Sequence, residues 1–458
     1  MPTDARRSLP SVEALLEQLR NGAAPGEWPH QVAVEAVRVV LAEARAAVSA
    51  GGTTPALDVM VEDARAAMET AARPSLRPVI NATGVILQTN LGRAPLSDRA
   101  IAAMTTVARG YSNLEFDLAE GARGSRHEHV RELIRRTTGA EDGIVVNNNA
   151  AALLMVLQVF AQGRDVLVSR GQAVEIGGGF RIPDVLRQSG ARLAEVGTTN
   201  RTYARDYADA WTDETAAILR IHASNFQIIG FTAEAALHDL ASIAHSRSGL
   251  LIDDLGSGCL VETERFGLAH EPTVQESLAA GADLTLFSGD KLLGGPQCGI
   301  IAGRAELVAA LRAHPLARVL RVDKLTIAAL NATLLSYVEG REAAEIPVWR
   351  MLSADIGILR RRARKLARAA GQAGTVVRGT SMVGGGALPG QGVPTWCAAI
   401  QPRQGEEHLA HVLRNGNPPI VGRISAGALI LDPRTIHPRD DAAIAARLAA
   451  EVTGETRD

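Results

Sequence analysis

Asp283-Leu284-Thr285-Leu286-Phe287-Ser288-Gly289-Asp290-Lys291-Leu292-Leu293-Gly294-Gly295-Pro296 is a short apolar run, then a polar turn, a lysine, two glycines and a proline. Leu284 to Phe287 read as a buried strand, and the glycines and proline after Lys291 forbid a helix there. A lysine so placed stands at the end of a strand. It can carry an amine that forms a Schiff base with an aldehyde cofactor. The ordinary fate of lysine is a solvated loop. Lysine is scarce in this arginine-rich chain, however, and its apolar and glycine neighbours argue for a fixed, partly enclosed position.

Upstream, Gly249-Leu250-Leu251-Ile252-Asp253-Asp254-Leu255-Gly256-Ser257-Gly258 is an apolar run ending in two carboxylates. A carboxylate at the end of a buried strand is costly unless a cation meets it. A protonated pyridine nitrogen is such a cation, and one of the two aspartates can simply cap the next turn. Further upstream, strand-like Gly143-Ile144-Val145-Val146 leads through Asn147-Asn148-Asn149 into an alanine-rich helical run. Asn is a good N-cap, and free N–H groups at a helix start bind phosphate. Asp before the Lys turn, with a phosphate-type turn before both, is the order of pyridoxal-phosphate enzymes of the aspartate-aminotransferase fold.

Short apolar runs alternate with amphipathic helices from about 79 to 339: Val166-Leu167-Val168, Leu193-Ala194-Glu195-Val196, Ala217-Ile218-Leu219-Arg220-Ile221 and Gly299-Ile300-Ile301-Ala302. That alternation predicts a mostly parallel sheet covered by helices. Before it, apolar residues recur at helical spacing from 11 to 73, with Gly51-Gly52-Thr53-Thr54 as a break. After it come a basic helix over 360–368 and strand-like Thr395-Trp396-Cys397-Ala398-Ala399-Ile400 and Ile420-Val421-Gly422-Arg423-Ile424. The expected organisation is a helical domain (1–73), a large α/β domain (74–340) and a small α+β domain (341–458), with a linker through Arg73-Pro74-Ser75-Leu76-Arg77-Pro78.

At 458 residues, 46% hydrophobic and 21% charged, the composition is that of a globular protein of more than one domain. No apolar run is long enough to span a bilayer, and Met1-Pro2-Thr3-Asp4-Ala5-Arg6-Arg7 precedes a polar helix, not a signal core. Cys259, Cys298 and Cys397 have neither disulfide-framework nor metal-ligand spacing, so no metal site and a cytoplasmic protein with reduced thiols are expected. Cys259 and Cys298 read as structural, which excludes chemistry that needs a catalytic thiol. A net charge of −2 carries no global signature of nucleic-acid binding.

The chain resembles the bacterial selenocysteine synthases, the L-seryl-tRNA(Sec) selenium transferases. The resemblance rests on Pro78-Val79-Ile80-Asn81-Ala82-Thr83-Gly84-Val85, Thr89-Asn90-Leu91-Gly92-Arg93, Asn147-Asn148-Asn149-Ala150-Ala151-Ala152 and Val174-Glu175-Ile176-Gly177-Gly178. It continues in Glu195-Val196-Gly197-Thr198-Thr199-Asn200-Arg201-Thr202, Asp254-Leu255-Gly256-Ser257-Gly258 and Ser288-Gly289-Asp290-Lys291-Leu292-Leu293-Gly294-Gly295-Pro296-Gln297. Gln172, Phe226 and Gln88 depart from the residues usual in that family. The resemblance implies a fold type I pyridoxal-phosphate enzyme. It would convert L-seryl-tRNA(Sec) to L-selenocysteinyl-tRNA(Sec) by β-elimination of water and addition of selenium from selenophosphate. Lys291, Asp254 and Asp290 are the implied catalytic residues. Asn149, Ala150 and Ser288 join Lys291 and Asp254 at the cofactor, Arg93, Arg318 and Arg321 hold the selenium donor, and Thr198 and Thr199 line the serine pocket. Arg318 and Arg321, three apart, are expected on one helix face. A ring of dimers, a decamer, is implied as the assembly, with the N-terminal helices selecting the tRNA. Two other readings share these residues: a pyridoxal-phosphate lyase acting on a phosphorylated sugar acid, and a catalytically silent tRNA-binding protein. The helical N-terminal region disfavours the first, and the intact Lys291 and Asp254 disfavour the second.

Overall fold

The computed structural model describes residues 8–21, 29–72, 74–177 and 179–453. The opening stretch 1–7, Arg73 of the expected linker and Gly178 of the glycine motif lie outside the described residues. The chain divides into two units, Met1–Pro78 and Val79–Asp458.

The first unit is helical. It contains α1 (Val12–Asn21), α2 (His30–Ser49) and α3 (Leu57–Ala72). Leu15, Leu16 and Leu19 of α1 meet Val37 and Leu41 of α2 and Met60, Ala64 and Met68 of α3 in one apolar cluster. Those residues recur every three or four positions, which puts one stripe of each helix inward. Gly51 follows α2 at φ 91°, a left-handed turn that glycine adopts without strain.

The second unit holds two large sheets and a short parallel pair, Ile80–Asn81 with Ile420–Val421. Its strands in chain order are β1 (Ile80–Asn81), β2 (Val85–Leu87), β3 (Asp142–Val146), β4 (Asp165–Ser169), β5 (Arg192–Val196), β6 (Thr215–Ile221), β7 (Leu250–Gly256), β8 (Leu284–Ser288) and β9 (Gly299–Gly303). They continue as β10 (Gly374–Gly384), β11 (Gly392–Ile400), β12 (Ile420–Val421), β13 (Arg423–Ser425) and β14 (Ala428–Leu431), and two small hairpins complete the described strands. The seven-stranded sheet runs β3-β9-β8-β7-β6-β4-β5. Only β9 is antiparallel to its neighbours. Strands buried on both faces read as continuous apolar runs, as Leu250-Leu251-Ile252 does. The expected mostly parallel α/β core is present.

The second sheet has the order β13-β14-β11-β10-β2. Here the chain departs from the expected organisation. Residues 80–87 were read as the start of the large domain. In the structure β2 lies parallel to β10, with Val85 opposite Met382, and β1 lies parallel to β12. Two strands of two and three residues are too short to show an alternating pattern. The expected strand 420–424 is also broken at Gly422 into β12 and β13, which join different sheets. No helix among the described residues is long and apolar enough to cross a membrane.

Candidate active site

Side chains alternate along a strand, so Asp253 and Asp254 at the end of β7 point to opposite faces. Asp253 is fully buried. It accepts hydrogen bonds from Arg220, its neighbour across β6 (3.1 Å), and from the Ser277 hydroxyl (2.6 Å). It is therefore a structural ion. Asp254 faces a cavity of about 380 Å³ that Lys291 also lines. Among the described residues its carboxylate accepts one side-chain hydrogen bond, from Asn149 Nδ2 at 2.7 Å. Burial pushes the Asp254 carboxyl up to about 6, against the pull of the Asn149 hydrogen bond and the Lys291 charge.

Lys291 is 8% exposed. Its turn is locked by backbone bonds: Gly289 N–H to Cys298 O (2.9 Å), Gly295 N–H to Gly289 O (2.8 Å) and Leu292 N–H to Ser257 O (3.0 Å). Burial pulls the Lys291 ammonium below the usual lysine range, while Asp254 opposes that shift. A loop from the other sheet lies over it. A Cβ added to Gly386 would sit 2.6 Å from Lys291 Cε and 3.0 Å from Nζ, so glycine is needed there for close approach.

Asn148 caps helix α4 (Asn149–Ala161), its side chain accepting from Ala151 N at 2.8 Å. Asn148, Asn149 and Ala150 line the cavity at that helix start, where N–H groups have no carbonyl partner within the helix. Asn149 Oδ1 is buried with no hydrogen-bond partner among the described residues. These features fit a phosphorylated pyridine aldehyde. Asp254 could meet a cationic ring nitrogen, Lys291 an aldehyde carbon and the α4 start a phosphate. Ser288, 5% exposed at the end of β8, lines the cavity on the same side as Lys291's turn.

Arg93 also lines the cavity. It has φ 61°, the left-handed region, immediately after Gly92 at φ 91°. Its guanidinium donates to Asp290 Oδ2 at 2.8 Å, and Ala94 N–H donates to the Asp290 carbonyl at 3.2 Å. Asp290 is thus engaged by Arg93, beside Lys291 in sequence.

Five expected residues do not line this cavity: Asp290, which reaches it only through Arg93, and the two threonines and two arginines that follow. Thr198 and Thr199 are exposed in the loop after β5, with the Thr198 hydroxyl donating to Arg201 O at 2.9 Å. Arg318 and Arg321 are exposed, and the shared helix face expected for them does not form. The helical turn Leu316–Val319 ends before Arg321, which bridges to Val146 in extended backbone. Three-residue spacing sets a common face only if the helix continues.

Gly177, Gly256 and Gln297 of the quoted motifs line the cavity, and so do Ile221, His222 and Ser224, to which the sequence assigns no site role. His222 Nε2 lies 3.2 Å from buried Glu271, whose other oxygen accepts from Leu388 N at 3.3 Å. Glu271 thereby links the cavity histidine to the glycine loop over Lys291. The only sequence signal for His222 is its position just past a strand end. Gln172 accepts from Ile221 N at 3.0 Å and orients that same strand end. The three cysteines are buried, and burial pushes the Cys259 and Cys397 thiols up to about 12, so neither is a nucleophile.

Residues 79–437 match the family described as L-seryl-tRNA selenium transferase, and residues 6–45 match the selenocysteine synthase N terminal family. The L-seryl-tRNA(Sec) selenium transferase of Solidesulfovibrio magneticus is 48% identical, covering 98% of this chain and 99% of that one. The enzyme of the same name from Geobacter sulfurreducens is 46% identical over 96% of this chain and 98% of its own. Among solved structures, D-glucosaminate-6-phosphate ammonia-lyase superposes with a TM-score of 0.60 at 22% identity, covering 84% of this chain and 97% of that one, a likeness of fold. The fold is shared with that ammonia-lyase, and the chain belongs to the L-seryl-tRNA selenium transferase family.

Proposed function

We propose that this protein uses pyridoxal 5'-phosphate to convert L-seryl-tRNA(Sec) to L-selenocysteinyl-tRNA(Sec), taking selenium from selenophosphate. The observation that carries the chemistry is one cavity lined by a buried lysine and a buried aspartate, with a helix start on its wall. When bound, pyridoxal phosphate supplies an aldehyde for an amine and a cationic ring that draws electrons from the adjoining carbon. Lys291 would hold the aldehyde of the cofactor, and its amine would be freed when the serine amine binds there. Its depressed basicity favours the neutral amine, so the released Nζ can take the proton from serine Cα. The same Nζ–H can then protonate the β-hydroxyl as it leaves as water. Asp254 would pair with a protonated ring nitrogen, and Asn149 fixes that carboxylate by its 2.7 Å bond. The loop at Gly386 shields Lys291 from water.

Selenium then forms its bond to the serine β-carbon, a proton returns to Cα, and the Se–P bond is cleaved by water to release phosphate. Arg93, at the cavity and held by Asp290, is the cation for the selenium donor. Arg318 and Arg321, outside the lining, serve that donor only after movement or in an assembly. The seryl ester has no carboxylate, so the site needs no carboxylate-binding arginine. The reading places the protein in the cytoplasm with charged tRNA, as a ring of dimers, with the N-terminal helices selecting the tRNA.

The test is to incubate the full-length protein, pyridoxal phosphate and selenophosphate with seryl-tRNA(Sec) and, separately, with ordinary seryl-tRNA(Ser). Selenocysteine should appear on the first tRNA alone. Borohydride reduction of the protein with cofactor should mark Lys291 in peptide mapping. Product on both tRNAs, or a mark on Lys324, overturns the reading.

A further inference from the structure

Helix α5 (Ile356–Ala369) carries Arg360, Arg361, Arg362, Arg364, Lys365 and Arg368 and no acid. Its inward face is Leu359, Ala363, Leu366 and Ala367, all buried. One of its cations serves the fold. Arg362 turns in to Asp441 (2.7 and 2.9 Å) and to the carbonyls of Pro433 and Ile436. The other five are exposed and form no ion pair with any acid among the described residues. Elsewhere in the unit Arg99 meets Glu339, Arg192 meets Asp165 and Glu214, and Arg304 meets Asp283, while arginines with no ion pair among the described residues, such as Arg247 and Arg414, stand singly along the chain, not clustered on one helix face. Arg360/Arg364, Arg361/Lys365 and Arg364/Arg368 are like charges at i,i+4, which destabilise a helix. No packing need explains that arrangement.

The strip continues onto the adjoining sheet. Arg360 lies over the Trp396 ring at 4.7 Å, and Arg378, exposed on β10 and directly across from Trp396, lies over it at 5.3 Å. One indole thus ties a helix cation to a strand cation and spreads the positive surface over both elements. The chain as a whole carries a net charge of −2, so this surface is a local concentration. Unpaired guanidinium groups at one-turn intervals, about 12 Å from first to last along the helix, suit successive phosphates of a nucleic-acid backbone.

We infer that the exposed face of α5, with Arg378, is an RNA-backbone contact surface that supplies salt-dependent, sequence-independent affinity for the tRNA. This deepens the proposed function and rests on it for the identity of the RNA. Binding relieves the self-repulsion of the helix, and selection of one tRNA among others lies elsewhere, since phosphate contacts carry no sequence.

The experiment is a salt series of equilibrium binding to seryl-tRNA(Sec) by the full-length protein with pyridoxal phosphate. Wild type is compared with the combined variant Arg361→Gln, Arg364→Gln, Lys365→Gln, Arg368→Gln. Glutamine keeps helix propensity, and unchanged melting and cofactor absorption verify the fold. Each lost phosphate contact removes about 0.7–0.9 from the slope of log K against log salt. The variant's slope should fall by about 2–4, its affinity at low salt by more than tenfold, and its preference for tRNA(Sec) over tRNA(Ser) should be unchanged. An unchanged slope in a folded variant overturns this inference and leaves the proposed function standing. Wild type that binds no seryl-tRNA(Sec) overturns both. Loss of binding to phosphatidylglycerol vesicles with no change in the RNA slope overturns it in favour of a membrane surface.

Discussion

Asp253 and Asp254 are adjacent in sequence and opposite in role. Asp253 holds Arg220 and Ser277 inside the sheet, and Asp254 looks into the cavity. Replacing one partner of a buried ion pair leaves the other unmatched. Asp253→Asn should therefore cost stability on the order of 3 kcal/mol, seen as a lower melting temperature, with a smaller effect on turnover by folded enzyme. Asp254→Asn should do the reverse, slowing turnover by orders of magnitude with the fold intact. The opposite ranking in paired melting and rate measurements would exchange the two roles. Asp254 also makes a pH prediction. Its folded-state value, about 6, lies above that of an unfolded aspartate. Its contribution to stability is therefore present below about pH 4 and lost as the pH rises through about 6. Without cofactor, Asp254→Asn should melt higher than wild type at pH 8, and the gap should close near pH 4. A gap independent of pH would show that burial does not perturb this carboxyl.

The loop joining β10 to β11 brings Gly386, at φ 92°, against Lys291. Gly386→Ala would thrust a methyl group into the lysine side chain and strain the backbone as well. We expect turnover to fall on the order of 10²-fold through displacement of Nζ, with weakened cofactor absorption and a much smaller change in melting temperature. Normal absorption and rate would mean the loop stands clear of the amine in solution. Elements with local signatures were legible in the sequence: the apolar run of β7 ending in aspartates, the Asn148 cap of α4 and the strand-turn before Lys291. Asp254, Asn149 and Lys291 could be placed at element ends for that reason. Gly386, His222 and Glu271 could not, because their meeting depends on two sheets approaching one another, which periodicity does not report. Arg318 and Arg321 were misplaced for a related reason. Their spacing was read as helical, but the helical turn stops at Val319 and the backbone pairs with β3 instead.

The two units differ in what they are expected to do. Residues 1–78 form a helical unit with an apolar cluster of its own, and all the cavity residues belong to 79–458. A protein lacking residues 1–78 should keep its cofactor absorption and a cooperative melt but lose its preference for tRNA(Sec) over tRNA(Ser) in competition binding. Retained preference would move selection into the larger unit. Synthesis order gives the pairing of β1 and β2 a further meaning. The ribosome delivers residues 80–87 well before their partners on β10 and β12. All strands of the large sheet can be out of the exit tunnel while Ile86 and Leu87, fully covered in the finished protein, still lack their pairing strand β10 and the Val383, Ala387, Leu388 and Val393 side of their apolar cluster. A chain stalled before residue 374 would present that apolar thread to other nascent chains, a route to aggregation and chaperone capture. A later-made stretch therefore clasps one of the first parts of the larger unit, and a loss in 374–421 would be felt at residues 80–87.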